Sequence, residues 1–226
     1  MMETAVSILY EDNHCLACDK PAGVPTQADE SGDLSLLEQV RERIRVRDRK
    51  PGNVFLGLLH RLDRPVSGVV LFAKTSKAAA RLSEQFRVGT IEKTYLAIVE
   101  GTIAADEGEF VDRLSKDRER NVVSIADAND SEGREARLLF RVIERSRVAT
   151  TVEIKLLTGR SHQIRVQFAS RGKPIWGDHK YGSKRNLRAL DGGGRIALHA
   201  RSLGFNHPTR LETLSIDAPI PADWPE

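Results

Sequence analysis

A continuous apolar run near the end of the first third of the chain constrains its fold more than any other feature. The run GVVLFAK, residues 68–74, is rich in β-branched and aromatic side chains. A strand with one exposed face alternates apolar and polar residues, whereas an uninterrupted run is typical of a strand covered on both faces. We therefore predict a buried central strand at 68–74.

Local signals before and after this run predict two helices. Ser35 and Glu38 form a capping box, and the apolar residues that follow at helical spacing predict a helix of roughly a dozen residues. For the second helix we predict Ser76 as the N-cap and Gly89 as the stop. Its expected buried face comprises Ala79, Leu82 and Phe86.

The remaining patterns are mostly strands. A first strand pair is predicted near 6–9 and 15–19, ending at the turn KPAGVP. Further strands are predicted at TYLAIVEG, NVVSIA, ARLLFRVIER, ATTVEIKLLT, RIALHARSLGF and ETLSIDA. We expect the segments 107–136 and 186–195 to be an insertion or loops. Few helices and sequential strands predict an α+β fold with a large mixed, mostly antiparallel sheet flanked by helices and loops around a central cleft.

Length and composition fit one domain covering residues 1–226, because a chain of this size can bury a substantial core. Hydrophobic residues at 40%, charged residues at 30% and a mean hydropathy of −0.37 are typical of a soluble globular protein. The N-terminus has no apolar core of signal-peptide length, and no long apolar run predicts a membrane span. We expect a cytoplasmic protein that is monomeric and has no membrane partner.

The two cysteines form a C-x-x-C, Cys15 to Cys18, which admits a redox or zinc interpretation. No second pair completes a zinc site, and in a strand residues i and i+3 point to opposite faces. Two reduced thiols in a sheet are the favoured alternative.

Positive charge is concentrated locally although the net charge is only +3. The run RERIRVRDRK, residues 41–50, is basic, and further arginines and lysines crowd residues 160–188. Such stripes attract polyanions such as RNA. For residues 41–50 alone, a solvated helix face is the favoured interpretation.

The stretch LLHRLDRPVSG, residues 58–68, places one carboxylate, Asp63, between Arg61 and Arg64. Neighbouring positive charge favours the ionised form of a carboxyl group, so Asp63 is an unsuitable general acid and is predicted to be a fixed anion. It is either structural, pairing with its own arginines, or nucleophilic. Its place in the turn before a buried strand favours a functional role, because rigid scaffolds commonly carry such groups in strand-end loops.

Two other segments carry candidate functional residues. The segment LLTGRSHQIRVQFASRGKP, residues 156–174, predicts a strand, a turn and a helix starting near Ser161, with His162 and Arg165 on one face. By itself, Arg165 would more often be a surface salt-bridge residue. Tyr95 begins the strand TYLAIVEG, where a tyrosine more often packs in a core or interface.

Together these motifs resemble the pseudouridine synthases of the RluA branch, in the same order along the chain. The matching segments are KPAG, HRLDRPVSG, KTYLAIVEG, LLTGRSHQIRVQFASRGKPIWGDHKYG and LHARSLGF. The resemblance spans about residues 6–218, nearly the whole chain. Many relatives carry a small RNA-binding domain ahead of the catalytic one, and we expect none here.

The resemblance implies an isomerase that converts uridine to pseudouridine in structured ribosomal or transfer RNA. It implies that Asp63 is the catalytic carboxylate, that Tyr95 lines the uracil pocket and takes the C5 proton, and that Arg165 pairs with Asp63. Arg61 matches the residue that fills the space left by the flipped base. Val66 stands where many members have threonine, which puts one hydrogen bond of the turn in question.

This chemistry explains an acid in basic surroundings. Breaking a glycosidic bond builds positive charge on the ribose, which an ionised carboxylate traps or stabilises, as in retaining glycosidases. Flanking arginines keep the carboxylate ionised. No metal or organic cofactor is expected, since the isomerisation leaves redox state and composition unchanged. We assign RNA contacts to His60, Arg160 and His162, with a structural role equally open for the two histidines.

Two alternatives stay open. One is a non-catalytic RNA-binding module, against which the presence of Asp63, Tyr95 and Arg165 together argues, because binding alone requires none of them. The other is a nucleoside or glycoside hydrolase that uses Asp63, which release of free uracil would distinguish.

Overall fold

The computed structural model describes residues 6–127, 129–187 and 194–225. The strands are β1 Ser7–Glu11, β2 Cys15–Lys20, β3 Gly57–Leu58, β4 Ser67–Ala73, β5 Glu92–Glu100, β6 Glu107–Asp117, β7 Val122–Ile125, β8 Arg134–Arg145, β9 Ala149–Leu156, β10 Leu198–Asn206 and β11 Thr213–Asp217. The helices are α1 Leu36–Arg47, α2 Ser76–Val88 and α3 Gln163–Ala169. The α+β prediction is confirmed.

The chain divides into two compact units. The first contains the residues up to Ile91 together with Ala200–Pro221, and the second contains Glu92–His199 with the segment from Ala222 onward. That both belong to one catalytic domain, residues 1–226, stays a prediction. None of the helices in the described ranges is both long and apolar enough to cross a bilayer.

In the first unit the strand order is β1-β2-β4-β10, with β11 beside β10 and β3 beside β4. Strands β2 and β4 are antiparallel, with Cys15 opposite Ala73 and Lys20 opposite Gly68. All seven residues of β4 are buried, so the predicted central strand is confirmed. Its apolar side chains pack into a core with α2 and with residues of β10 and β11.

Gly68 lies at the start of β4, where the backbone of Ala200 in β10 approaches it closely. Its φ of +117° lies in a region that side chains with a Cβ rarely adopt. A Cβ added here would clash with the backbone carbonyl of Ala200. The close approach of these two strands therefore requires glycine immediately after the segment that carries Asp63.

Both predicted helices of the first unit form. Helix α1 has the predicted capping box, in which Ser35 and Glu38 bond each other's backbone N–H, and it buries one apolar side. Helix α2 ends at Gly89 in the left-handed conformation, as predicted, but its N-cap is Thr75 rather than Ser76. The Thr75 hydroxyl accepts the N–H of Ala78, and this bond starts the helix one residue earlier than the sequence prediction.

The basic run that includes most of α1 makes extensive contacts with the protein itself. Arg41 and Arg43 donate to the carbonyls of Leu56 and Val6. Arg45 pairs with Glu42, and Arg47 pairs with Glu11 and Asp48. These contacts support the interpretation of residues 41–50 as a structural and solvated face rather than an RNA-binding stripe.

The two cysteines lie in β2 and are fully buried and unbonded to each other. Burial raises the pKa of the Cys15 thiol to about 12, so the thiol form persists at neutral pH. Burial also raises the pKa of Cys18. Both observations support the interpretation of the pair as reduced thiols in a sheet.

In the second unit the strand order is β5-β9-β8-β6-β7, and each neighbouring pair is antiparallel. Within residues 107–136 the predicted strand NVVSIA is confirmed as β7, but the prediction of loops is wrong for 107–117, where β6 forms. Strand β6 carries charged residues on its exposed face and buries Leu114 and part of Phe110. The charged residues made the alternating pattern of this strand difficult to recognise in the sequence. The other predicted loop, 186–195, lies mainly outside the described residues.

Helix α3 begins later than predicted. It starts at Gln163, and His162 serves as the N-cap with a left-handed φ of +49°. Its residues from Gln163 to Phe168 are all buried, including polar ones. Phe168 packs edge-on against Phe110 and Phe140 of the sheet. Arg165 is buried with them, so the alternative of a surface salt bridge for this residue does not hold.

Candidate active site

Asp63 lies in the first unit, in a tight turn before β4. The N–H of Val66 donates to the carbonyl of Asp63 at 3.0 Å and closes the turn. Leu62 and Val66 are buried, whereas the Asp63 side chain is half-buried. Arg61 and Arg64 are exposed. Apolar anchors on both sides thus fix the position of a carboxylate that retains access to solvent.

The segment Arg61–Val66, hereafter the Asp63 turn, is bonded to the preceding turn of the KPAGVP motif. The Thr26 hydroxyl donates to the carbonyl of Leu62 at 2.8 Å and accepts its N–H at 3.2 Å. Gly23 and Arg64 exchange two bonds: the Gly23 N–H donates to the Arg64 carbonyl, and Arg64 Nε donates to the Gly23 carbonyl, both at 2.8 Å. Backbone groups on both sides of Asp63 are therefore held from outside the turn.

Lys20, at the end of β2, also bonds the Asp63 turn and the KPAGVP turn. It is fully buried, and its Nζ donates to the carbonyls of Pro21 at 2.9 Å, Val24 at 2.7 Å and Arg64 at 3.1 Å. Burial lowers the pKa of Lys20 to about 7, whereas the negative charge of Asp63 acts to raise it. An ammonium group has three donors, and this site uses all three. Lys20 is therefore a positioning residue for the Asp63 turn.

We expect the Lys20→Met variant to lose about 2 kcal/mol of unfolding free energy, because the three backbone carbonyls that the buried ammonium group bonds lose their donor. Guanidinium denaturation measures this loss. The matched control is Lys77→Met, on the exposed side of α2, which should change stability by less than about 0.5 kcal/mol. Equal stability of the Lys20 and Lys77 variants would contradict the positioning role.

His60 and Arg61 begin the motif that carries Asp63. Nε2 of His60 accepts the N–H of Leu71 at 3.0 Å, and its ring stacks on Phe86 with centroids 4.9 Å apart. These contacts favour a structural role for His60. Arg61 is exposed, and its contact with RNA stays a prediction.

In the second unit, Arg165 forms a buried ion pair with Asp178. Nε of Arg165 lies 2.6 Å from Oδ2 and Nη2 lies 2.8 Å from Oδ1, with side-chain exposures of 5% and 1%. The guanidinium also lies over the Tyr181 ring, 5.0 Å from its centroid. A bidentate pair of this kind fixes both the position and the plane of the guanidinium group.

Tyr181 joins three parts of the second unit. Its hydroxyl accepts the N–H of Val123 at 3.0 Å and lies 2.6 Å from Nδ1 of His162. Tyr181 thus links His162, which precedes α3, to strand β7 and to the guanidinium of Arg165. These contacts fix the position of His162 within the protein. Its strained left-handed backbone is consistent with a position imposed by the surrounding structure.

Tyr95 and Lys93 lie two residues apart on β5 and therefore point to the same side of the strand. Tyr95 is half-buried and stands opposite Ile154 of β9. Nζ of Lys93 packs against Gly159, and burial lowers the pKa of this lysine. Among the described residues, no hydrogen bond or ion pair involves the Lys93 side chain. Lys93 is thus a cation placed beside Tyr95 and the turn that leads to α3.

Arg160 follows in that turn and is exposed, with its Nε donating to the carbonyl of Glu135 at 2.9 Å. The turn itself is held by Gln163, whose side-chain oxygen accepts the Arg160 N–H at 3.0 Å and the Thr158 hydroxyl at 2.8 Å. Because these bonds satisfy the polar side chain of Gln163, the first residue of α3 can be buried.

One cluster in the first unit has the residue types of a metal site: Asp12, Cys15 and His207. Both ring nitrogens of His207 already have protein partners, since Nε2 lies 2.7 Å from Asp12 and Nδ1 accepts the N–H of Arg210 at 3.0 Å. The Cys15 thiol is protonated, and the Arg210 guanidinium bonds Asp12. The cluster therefore ties the β1–β2 turn to residues 207–210.

A family model described as RNA pseudouridylate synthase matches residues 14–170 of this chain. The chain belongs to the RNA pseudouridylate synthase family. A relative from Yersinia pestis named ribosomal large subunit pseudouridine synthase C is 36% identical over 219 residues. That match covers 94% of this chain and 65% of the relative, so the chain spans less than two thirds of the relative's length.

Solved structures of the pseudouridylate synthase family share the fold. Human RNA pseudouridylate synthase domain containing 1 is 26% identical, with a TM-score of 0.76, and the match covers 96% of this chain and 84% of that one. Human RNA pseudouridylate synthase domain containing 4 superposes with a TM-score of 0.78 at 23% identity, covering 96% and 90% of the two chains. The second likeness concerns the fold alone.

Within the described residues, the structure brings some predicted residues together. His162 and Arg165 meet at Tyr181, as described above, and the three residues His60, Arg61 and Asp63 share one loop of the first unit. The roles assigned to Asp63, Tyr95, Arg165, Arg61, His60, Arg160 and His162, and the pairing of Arg165 with Asp63, stay predictions. Val66 offers no hydroxyl for the side-chain hydrogen bond questioned at this position, but its backbone N–H donates to the Asp63 carbonyl and closes the turn.

Sequence reasoning missed four residues that hold or accompany the predicted ones: Lys20, Lys93, Asp178 and Tyr181. Each lies inside a segment used for the resemblance, in KPAG, KTYLAIVEG or the GDHKYG end of the longest motif. For Lys93, the two-residue spacing from Tyr95 was a usable signal. For the others, no local pattern indicates which distant group they contact.

Proposed function

We propose that this chain is an RNA pseudouridine synthase that acts on uridine in large-subunit ribosomal RNA. Family membership and the printed names of the curated relatives support the reaction and the class of RNA. The observation that carries the proposal is Asp63 itself: one carboxylate, reachable by solvent, in a turn fixed from both sides by Lys20 and Thr26.

The proposed reaction exchanges one bond at the ribose. The bond between N1 of uracil and C1′ breaks, the uracil rotates in place, and C5 forms a bond to C1′. The C5 proton leaves and N1 gains a proton, so the composition of the RNA is unchanged. Asp63, as an ionised carboxylate, stabilises or traps the positively charged ribose while the base is detached.

Arg165 and Tyr95 act on the same uridine in this proposal. Arg165 pairs with Asp63, and Asp178 fixes the plane of the guanidinium. Tyr95 lines the uracil pocket, and its hydroxyl oxygen takes the C5 proton as the hydroxyl gives its own proton to N1. Because a free uracil must be retained and water excluded, the site requires close packing around the base.

The target nucleotide must leave its stack before Asp63 can reach the ribose, at a cost of a few kcal/mol. Arg61 fills the vacated space and Arg160 contacts the RNA, whereas His60 and His162 orient the segments that carry Asp63 and Arg165. The proposal includes a monomer working in the cytoplasm without metal or organic cofactor. Transfer RNA is the alternative substrate.

The test is incubation of the purified protein with large-subunit ribosomal RNA transcribed in vitro, followed by carbodiimide mapping of pseudouridine. We expect one or a few modified positions, the same positions that disappear from cellular RNA when the gene is deleted. If only transfer RNA is modified, transfer RNA is the substrate. Release of free uracil would indicate a hydrolase instead.

A further inference from the structure

A cavity of about 400 Å³ opens in the second unit between the β6–β7 hairpin, the start of β8 and the turn before α3. We call it the hairpin pocket. Its apolar floor includes Leu114 and Val123, which are buried in a small core with Ala136 and Val166. None of the residues assigned to the reaction at Asp63, Tyr95 or Arg165 lines it.

The rim of the hairpin pocket is strongly basic. Four cations line it, Lys116, Arg118, Arg134 and Arg160, against one acid, Glu132. Across the described residues, the side chains of Lys116, Arg118 and Arg134 make no hydrogen bond or ion pair. The arginines of α1, in contrast, are paired with carboxylates or carbonyls. Four cations gathered around a single carboxylate repel each other, so this arrangement favours an anionic ligand.

The lining also indicates the kind of anion. It contains the hydroxyls of Ser115 and Ser161 but no aromatic ring. Recognition of a base typically uses an aromatic platform, whereas long basic side chains with hydroxyls are typical partners of the phosphate and sugar. A pocket of this volume accommodates a ligand larger than a single inorganic ion.

The walls of the hairpin pocket are held by bonds within the second unit. Lys180 donates to the carbonyl of Asn121 at 2.7 Å, at the tip of the hairpin, and Val123 donates to the Tyr181 hydroxyl. Ser161, on the opposite wall, directly precedes His162, which also contacts Tyr181. A ligand in this pocket would therefore bind next to the element that carries Arg165.

We propose that the hairpin pocket is a second RNA subsite, which binds the sugar-phosphate backbone of a nucleotide other than the target uridine. This inference rests on the proposed function, because it assigns the bound anion to the same substrate RNA. The subsite positions the RNA relative to α3 and carries no sequence information of its own.

The test compares Arg134→Gln with Arg141→Gln, a matched control on the same strand whose side chain is exposed and outside the pocket. Binding of large-subunit ribosomal RNA transcribed in vitro is measured at several salt concentrations, and turnover is measured alongside. For Arg134→Gln we expect a three- to tenfold rise in Kd and KM, kcat within about twofold, and a salt slope smaller by about 1. Arg141→Gln should leave these values within about twofold. Lys116→Gln should reproduce the effect of Arg134→Gln.

Three outcomes would overturn the inference. If the Arg134 and Arg141 variants have the same Kd, KM and salt slope, the hairpin pocket is not an RNA subsite. A fall in kcat without a change in Kd indicates a role in the reaction rather than in binding. If uridine monophosphate binds saturably to the wild type, and Arg134→Gln abolishes this binding while RNA affinity is unchanged, the pocket is a small-ligand site.

If the wild type binds the RNA but forms no pseudouridine, the proposed function fails while the binding comparison still tests the pocket. Thermal melting of each variant confirms folding.

Discussion

The Asp63→Asn variant is expected to lose pseudouridine formation by at least about a thousandfold while its RNA affinity stays within about tenfold. The substitution is nearly isosteric and removes the negative charge that stabilises the ribose cation. The Asp63 turn should persist, because the contacts that hold it involve backbone groups of Leu62, Arg64 and Val66. Single-turnover modification of ribosomal RNA and an equilibrium binding assay measure the two effects.

The matched control is Asp33→Asn. Asp33 is an exposed carboxylate that bonds Arg64 of the Asp63 turn, so the variant removes one nearby negative charge and leaves Asp63 unchanged. Its turnover should stay within about threefold of the wild type. Turnover of the Asp63 variant comparable to that of the Asp33 variant would refute the assigned role of Asp63.

The Asp178→Asn variant is expected to lower the free energy of unfolding by about 3 kcal/mol, because it leaves the buried Arg165 without its carboxylate. We also expect kcat to fall by about a hundredfold with little change in KM, since a misplaced guanidinium affects the reaction more than RNA binding. Urea denaturation and steady-state kinetics measure these effects separately.

Glu109→Gln is the control for this experiment. It breaks the ion pair with Arg137 on the exposed face of the same unit, where the side chains are 38% and 44% exposed. Exposed pairs contribute about 0–1 kcal/mol, so stability and kcat should both be nearly unchanged. A loss of stability in Asp178→Asn with normal kcat would make Asp178 structural and would exclude a positioning role for it.

Sequence rules that involve only neighbouring residues were sufficient to predict much of the fold. The apolar run at 68–74, the capping box at Ser35 and the stop at Gly89 act over a few residues, and each was correctly predicted. Strand β6 was missed because its exposed face is charged and its covered face has few large apolar residues. The start of α3 was misplaced because the helix is held by side-chain bonds of Gln163 rather than by a capping residue.

The residues of the candidate site divide in the same way. The sequence by itself determined that one carboxylate lies in a turn before a buried strand, and that the motifs occur in the order of the pseudouridylate synthase family. Only the tertiary structure decided which carboxylate holds Arg165, which carbonyls surround Lys20 and which cations share the hairpin pocket. Periodicity and capping depend on neighbours within about four residues, whereas a buried charge is stabilised by groups far away in the chain.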